Sequence, residues 1–308
     1  MGTDTKVQWC HHTFNPWLGC DKCSEGCKNC YAEVSTPVRV ARSKGLELWG
    51  AQAQRRIASE EMWKQPLKWD RDAEKAGIRH RVFCASLADV FEDYRGPDAD
   101  AVRAARFRLI TLIAQTPHLN WLLLTKRPEN VAKLWPVTLP GIQHYDNIWI
   151  GCTVENQARA TQRLPELLKI PAVIRFVSYE PALEAVDFSR WMWPVHSSWD
   201  SKYKTPEDAL AAGSAVGRHR QALVHADARF IDWVIVGGES GPGARRFDIG
   251  WARSVVKQCQ EGGVACFFKQ AGSKPFIDDK PLSLRDRKGG DLDELPPDLR
   301  VREFPDAA

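Results

Sequence analysis

Six short apolar runs constrain the fold of this chain more than any other feature. They are Arg81–Ser86, Trp121–Thr125, Ile148–Thr153, Val173–Ser178, Asp232–Gly237 and Val264–Lys269. Each is made mostly of β-branched or large apolar residues and lacks polar alternation. Strands buried on both faces, as in a parallel sheet, read this way. Between them, Pro97–Gln115, Asn156–Leu168 and Gly250–Glu261 carry apolar residues at helical spacing. Strands that alternate with helices imply βαβ units. With a further strand expected near Thr5–Trp9, the set suits an α/β fold, a full or partial (β/α) TIM-like barrel. A doubly wound open sheet is the alternative.

Nearly every run ends in polar or charged residues. The ends read Ser86 with Asp89, Thr125-Lys126-Arg127, Thr153 with Glu155 and Asn156, Ser178 with Glu180, Gly237-Gly238-Glu239-Ser240, and Lys269-Gln270. In a β/α barrel all of these fall on the C-terminal rim, where active sites are built. Glu239, Lys126, Lys269 and Asp89 are therefore the candidates for chemical steps. Ser86, Thr125, Thr153, Glu155, Asn156, Ser178, Glu180, Gly237, Gly238, Ser240 and Arg245 are candidates to hold a cofactor. The competing reading is structural: Asp89 caps the next helix, and the cations pair internally with Glu155, Glu180 or Glu239.

Of the 308 residues, 44% are hydrophobic and 27% charged, the balance of a soluble globular protein. No apolar run approaches the length of a membrane span. The N-terminus, MGTDTKVQWC, lacks the layout of a secretion signal, so a cytoplasmic protein without membrane partners is expected. The net charge of +4 permits a nucleic-acid partner without demanding one. Nine cysteines, an odd number with no such signal, make a poor disulfide framework. Cys84, Cys152 and Cys266 lie inside apolar runs and read as core. Cys20, Cys23, Cys27 and Cys30 crowd together with the spacing C-x2-C-x3-C-x2-C. Three chemistries compete for them: a closed zinc site, a four-cysteine cluster for electron transfer, and a three-cysteine [4Fe–4S] cluster with one open iron. Cys23-x3-Cys27-x2-Cys30 matches the spacing of radical S-adenosylmethionine enzymes.

The surrounding text is more distinctive than the spacing. NPWLGC from Asn15, SEGCKNCYAE from Ser24, FCASLADVFED from Phe83, LLLTKRPEN from Leu122 and IWIGCTVENQ from Ile148 are long blocks. So are IRFVSYEPAL from Ile174, DWVIVGGESGPGAR from Asp232 and FFKQAG from Phe267. Over roughly residues 7 to 273 the chain resembles a phage-associated and bacterial radical-SAM-like three-cysteine family of unknown function. The resemblance implies a barrel of the radical SAM type, a [4Fe–4S] cluster, and S-adenosylmethionine cleaved to a 5′-deoxyadenosyl radical. The family pattern C-x6-C-x2-C falls on Cys20, Cys27 and Cys30, whereas the generic spacing selects Cys23, Cys27 and Cys30. Ligation by all four would leave no open iron. Asn29 stands where an aromatic often precedes the last cysteine. Gly237-Gly238-Glu239 is loosely similar to the element that holds the cofactor's amino group in such enzymes.

The domain reading is a barrel over 1–275 with insertions at about 34–72 and 191–229, then a loose, charged, Pro-rich extension over 276–308. The second insertion joins Trp191, Trp193 and Trp199 to Lys202, Lys204, Arg218, His219, Arg220 and His225. Rings beside cations form stacking platforms for unpaired bases, so DNA or RNA is the expected substrate, repaired or modified. A flavodoxin- or ferredoxin-like electron donor is the second expected partner. His11 and His12 read as exposed loop residues. The competing function is a non-catalytic iron–sulfur or zinc protein that binds nucleic acid or a partner.

Overall fold

In the computed structural model, which describes residues 5–135, 146–192 and 230–306, seven parallel strands form one sheet. They are β1 (His12–Phe14), β2 (His80–Cys84), β3 (Leu119–Thr125), β4 (Ile148–Thr153), β5 (Ile174–Tyr179), β6 (Trp233–Gly237) and β7 (Ala265–Gln270). Each pairs only with its neighbours in chain order, β1 through β7. That singly wound order, with no point of reversal, belongs to a barrel and excludes the doubly wound sheet. β1 and β7 do not pair, so the barrel is partial.

Alternate residues of each strand serve two cores, which is why the runs lack polar alternation. Val82, Trp121, Ile150, Val177, Val234 and Cys266 face outward into the larger cluster. The covering helices include α1 (Thr36–Ser43), α2 (Glu60–Ala76), α3 (Ala99–Ala114), α4 (Gln157–Leu167) and α5 (Ile249–Gly262). Phe83, Leu122, Trp149, Phe176, Trp233 and Phe267 face inward and fill the lower half of the barrel with Trp9. The Trp9 ring lies 4.6 Å from Phe83, 6.4 Å from Phe176 and 6.2 Å from Trp233, so one side chain bridges strands far apart in the sheet. Trp9→Ala is expected to cost about 3–5 kcal/mol. That lowers the thermal midpoint by roughly 10 °C, read by circular dichroism.

Four expectations change. The first strand is His12–Phe14, not Thr5–Trp9. Residues 5–11 instead close a turn, through Thr5 N to His11 O at 3.2 Å, that delivers Trp9 to the plug. His12 is a buried strand residue stacked on Trp69 at 4.4 Å, and His11 accepts from Arg81 N at 2.8 Å, so neither is a free loop histidine. The 34–72 stretch is structural rather than appended: α2 sends Trp63, Trp69 and Ala73 into the main core despite Pro66 within it. The tail is not loose. Leu295 and Leu299 are buried in the main core, and Glu303 and Phe268 pair their backbones with β7 and with Val301. The tail thus covers the free edge of the last strand, which would otherwise expose unpaired backbone.

Trp191 is also buried in the main core and is no stacking platform; the rest of that stretch, from 193 to 229, lies outside the described residues. Among the described residues, no helix is long and apolar enough to cross a membrane.

Candidate functional site

Above the aromatic plug the inward positions turn polar. Continuing the parity of the apolar residues below them, Lys126, Thr153, Ser178, Glu180 and Lys269 take the inner face at the C-terminal end. Glu180 and Lys269 meet there, Nζ lying 2.6 and 2.8 Å from the two carboxylate oxygens. Gln270 adds an amide at 3.3 Å. A side chain at Gly237 would approach Glu180 at 3.0 Å and one at Gly238 the backbone oxygen of Ala271 at 2.3 Å, so both glycines keep this rim clear.

The cysteine loop crosses the same mouth. Its start is pinned by Gly19 N to Leu87 O at 3.1 Å and Cys20 N to Leu48 O at 3.2 Å. Its middle rests on Glu155, which is fully buried and accepts from Arg163 at 2.6 Å and from the Ser24 hydroxyl. Gly26 permits this seat, because a Cβ there would fall 2.4 Å from Glu155. Its end is clasped by Asn29, whose amide donates to Glu239 at 3.0 Å and to Gly243 O at 2.7 Å. Arg245 completes the clasp with two side-chain bonds and its own N–H to Glu239, and reaches Glu25 O at 2.9 Å. The Tyr31 hydroxyl donates to Ser86 O at 3.0 Å, while its ring stays exposed.

The four thiols differ in surroundings. Burial pushes Cys20 up to about 12, Asp89 and Glu92 add to this, and Arg127, 3.9 Å from the sulfur, opposes it. Cys27 is drawn down to about 4, chiefly by a hydrogen bond from the Cys23 thiol; burial opposes and the Lys126 charge assists. The same bond raises Cys23 above the ordinary thiol range. Cys27 is thus a thiolate at neutral pH, the form that ligates metal. For Lys126, burial works against the charge. The neighbouring Cys27, Glu155, Cys30 and Cys23 outweigh it and hold the ammonium above its usual pKa. Among the described residues, no three His, Cys, Asp or Glu side chains converge as ligands of a single metal ion. The donor chemistry, with several thiols on one loop, a preformed thiolate and cations behind them, is that of a thiolate-ligated iron–sulfur cluster.

The residues singled out in the sequence do converge on one rim, but most carboxylates there are already engaged. Asp89 is buried and accepts from Thr125 Oγ1 at 2.7 Å, Phe91 N at 3.0 Å, Lys126 N at 3.1 Å and Arg127 at 3.0 Å. It ties strand ends together. Asn156 caps α4 by accepting from Arg159 N at 2.9 Å. The Ser86 hydroxyl accepts from Asn15 at 3.0 Å. Glu239, buried under Arg245 and Asn29, positions the loop. Asn29, Arg163 and Arg159 were missed as site residues. Asn29 alone left a signal, as the odd residue between the last two cysteines.

Although burial opposes it, hydrogen bonds from Arg245 and Asn29 hold the Glu239 carboxyl below its ordinary pKa. A depressed carboxyl contributes stability that is complete above its unfolded value of about 4.3 and is lost as pH falls through the lower folded value. Hydrogen exchange of residues 25–30 is therefore expected to stay slow from pH 6 to 8. Glu239→Gln should speed it at pH 7 by removing charged bonds, typically about 1.5–3 kcal/mol each.

A protein-family model described as "Protein of unknown function (DUF5131)" matches residues 4–295. No curated protein matches the chain. Among solved structures, a Cys-to-Ser mutant of spore photoproduct lyase is similar at 12% identity and a TM-score of 0.43, over 80% of this chain and 59% of that one. A double mutant of the same lyase, with bound AdoMet and dinucleoside spore photoproduct, gives 12% and 0.41, over 76% and 57%. The chain spans less than two thirds of the length of these structures.

Proposed function

The chain belongs to the DUF5131 family of proteins of unknown function, and for it we propose an iron–sulfur enzyme of the radical S-adenosylmethionine type. The observation that carries the reading is a loop of four cysteines, Cys27 already a thiolate, held across the C-terminal mouth of a parallel partial barrel. Cys27 and Cys30 serve as ligands in both registers. The third is Cys20 on the family pattern; the bond between Cys23 and Cys27 favours Cys23. Such a cluster, when bound, supplies the electron that cleaves S-adenosylmethionine to a 5′-deoxyadenosyl radical.

The chain's own residues do the rest. The Asn29–Glu239–Arg245 clasp and the Glu155–Arg163 seat fix the loop against the rim, as a positioned cofactor requires. Glu180 and Lys269 place a fixed ion pair on the inner face, where a substrate enters. The closed lower barrel keeps water from reaching the mouth from below. The substrate is nucleic acid or a nucleotide, repaired or modified. What supports this is the Trp- and cation-rich sequence from 193 to 225 together with the net positive charge. The protein is cytoplasmic and draws its electron from a flavodoxin- or ferredoxin-like donor.

The test is electron paramagnetic resonance on anaerobically purified, reduced protein. A [4Fe–4S]⁺ signal that changes with S-adenosylmethionine, followed by 5′-deoxyadenosine release in the presence of DNA or RNA, supports the reading. An unchanged signal points to ligation by all four cysteines and a non-catalytic role, which the fourth thiol on the loop permits. Stoichiometric zinc without iron refutes both.

A further inference from the structure

Five strand- and loop-end cations at the mouth have carboxylate partners. Arg127 binds Asp89 at 3.0 Å, Arg159 binds Glu25 at 3.0 Å and Arg163 binds Glu155 at 2.6 Å. Arg245 binds Glu239 at 2.7 Å and Lys269 binds Glu180 at 2.6 Å. Lys126 differs. Among the described residues its ammonium has no carboxylate or hydrogen-bond partner, although the side chain is partly buried. Its backbone N–H is fixed on Asp89 at 3.1 Å, so the residue is held at the end of β3. Leu122 and Leu124 pack on the inner-face cluster, and Lys126 follows at the same parity, directed into the barrel mouth. The nearest carboxylate, Glu155, is already taken by Arg163 and Ser24. A desolvated cation with no fixed counter-charge is stabilised by an anion that arrives with the ligand.

We propose that Lys126 is the anion-binding residue of the mouth and receives the carboxylate of the amino-acid moiety of S-adenosylmethionine. This rests on the reading of the site given above. A carboxylate fits the place better than a phosphate diester, because the pocket beside the cysteine loop already holds Glu155, Glu180 and the Cys27 thiolate. A single small anion balances one ammonium there, whereas a nucleic-acid backbone brings a row of charges. The Glu239 carboxylate, committed to Arg245 and Asn29, is not free to answer the ligand's amino group, so the recognition of this end falls on the cation.

The test is binding by anaerobic equilibrium dialysis to the cluster-loaded full chain, wild type against Lys126→Met and Lys126→Arg. S-adenosylmethionine, 5′-methylthioadenosine (which lacks the amino-acid carboxylate) and a short single-stranded oligonucleotide are the probes. Lys126→Met is expected to weaken S-adenosylmethionine about ten- to hundredfold, the worth of one charged hydrogen bond. It should leave 5′-methylthioadenosine and the oligonucleotide unchanged, and Lys126→Arg should recover part of the loss. Equal losses for both adenosyl ligands, or a loss confined to the oligonucleotide, overturn the proposal. So does loss of the cluster signal in Lys126→Met and Lys126→Arg alike, because the charge then serves the thiolates. Wild-type protein that carries a cluster but binds no S-adenosylmethionine instead overturns the radical SAM reading itself.

Discussion

Serine at Cys27 is expected to abolish the cluster: iron falls to background and the reduced paramagnetic signal disappears. Cys27 is the ligand whose identity depends least on register, since both spacings include it, and it is the one sulfur held as a thiolate. Serine keeps the size and the hydrogen bonds of the loop but not the soft, ionised donor that iron–sulfur clusters require. The fold should survive, because Cys27 touches no core cluster of the sheet, so circular dichroism should match the wild type. The pair Cys20→Ser and Cys23→Ser then identifies the third ligand. Whichever variant loses the signal contributed the sulfur; loss in both means four-cysteine ligation. Retained iron in Cys27→Ser would refute the cluster assignment to this loop.

The largest stability effect is expected at Arg55. Its side chain is fully buried and binds Glu92 through two bonds, at 2.7 and 3.1 Å. The remaining N–H groups bond the carbonyls of Leu48, Gly50, Ala53 and Gln54, and the guanidinium lies 4.2 Å over the Tyr94 ring. Those carbonyls belong to the segment against which Cys20 pairs through Leu48 and Gly50. Arg55→Ala leaves Glu92 a buried unpaired charge and several carbonyls without donors, a loss of about 3–5 kcal/mol. Arg55→Lys should fail similarly, because one ammonium cannot reproduce the planar fork. Urea denaturation reads the loss. Hydrogen exchange should show residues 18–22 and 48–54 released together, and iron content should fall although no ligand is changed. A wild-type midpoint with intact iron would show that the segment holds itself.

The contrast between Arg55 and Cys27 shows what was legible and what was not. The cysteine spacing is local, so the donor set could be read directly. Nothing in the sequence around Arg55 distinguishes it from Arg56, yet one is fully buried and the other exposed. The same holds for the strand-end acids. Their placement on one rim followed from strand parity and topology, whereas Asp89 and Glu239 as joints followed only from which cations reached them.

The six buried runs, their helical partners and the cysteine loop were determined by the sequence itself. Apolar runs without alternation demand burial on both faces, and strands joined by helices must be parallel. The tertiary structure alone decided that the barrel stays open and that His12–Phe14 begins it. It also decided that the charged tail seals the last strand's edge, and that five of the mouth's cations are paired while Lys126 is left to meet a ligand. These outcomes depend on contacts between residues far apart in the chain, and local propensity carries no record of which charge a side chain will find.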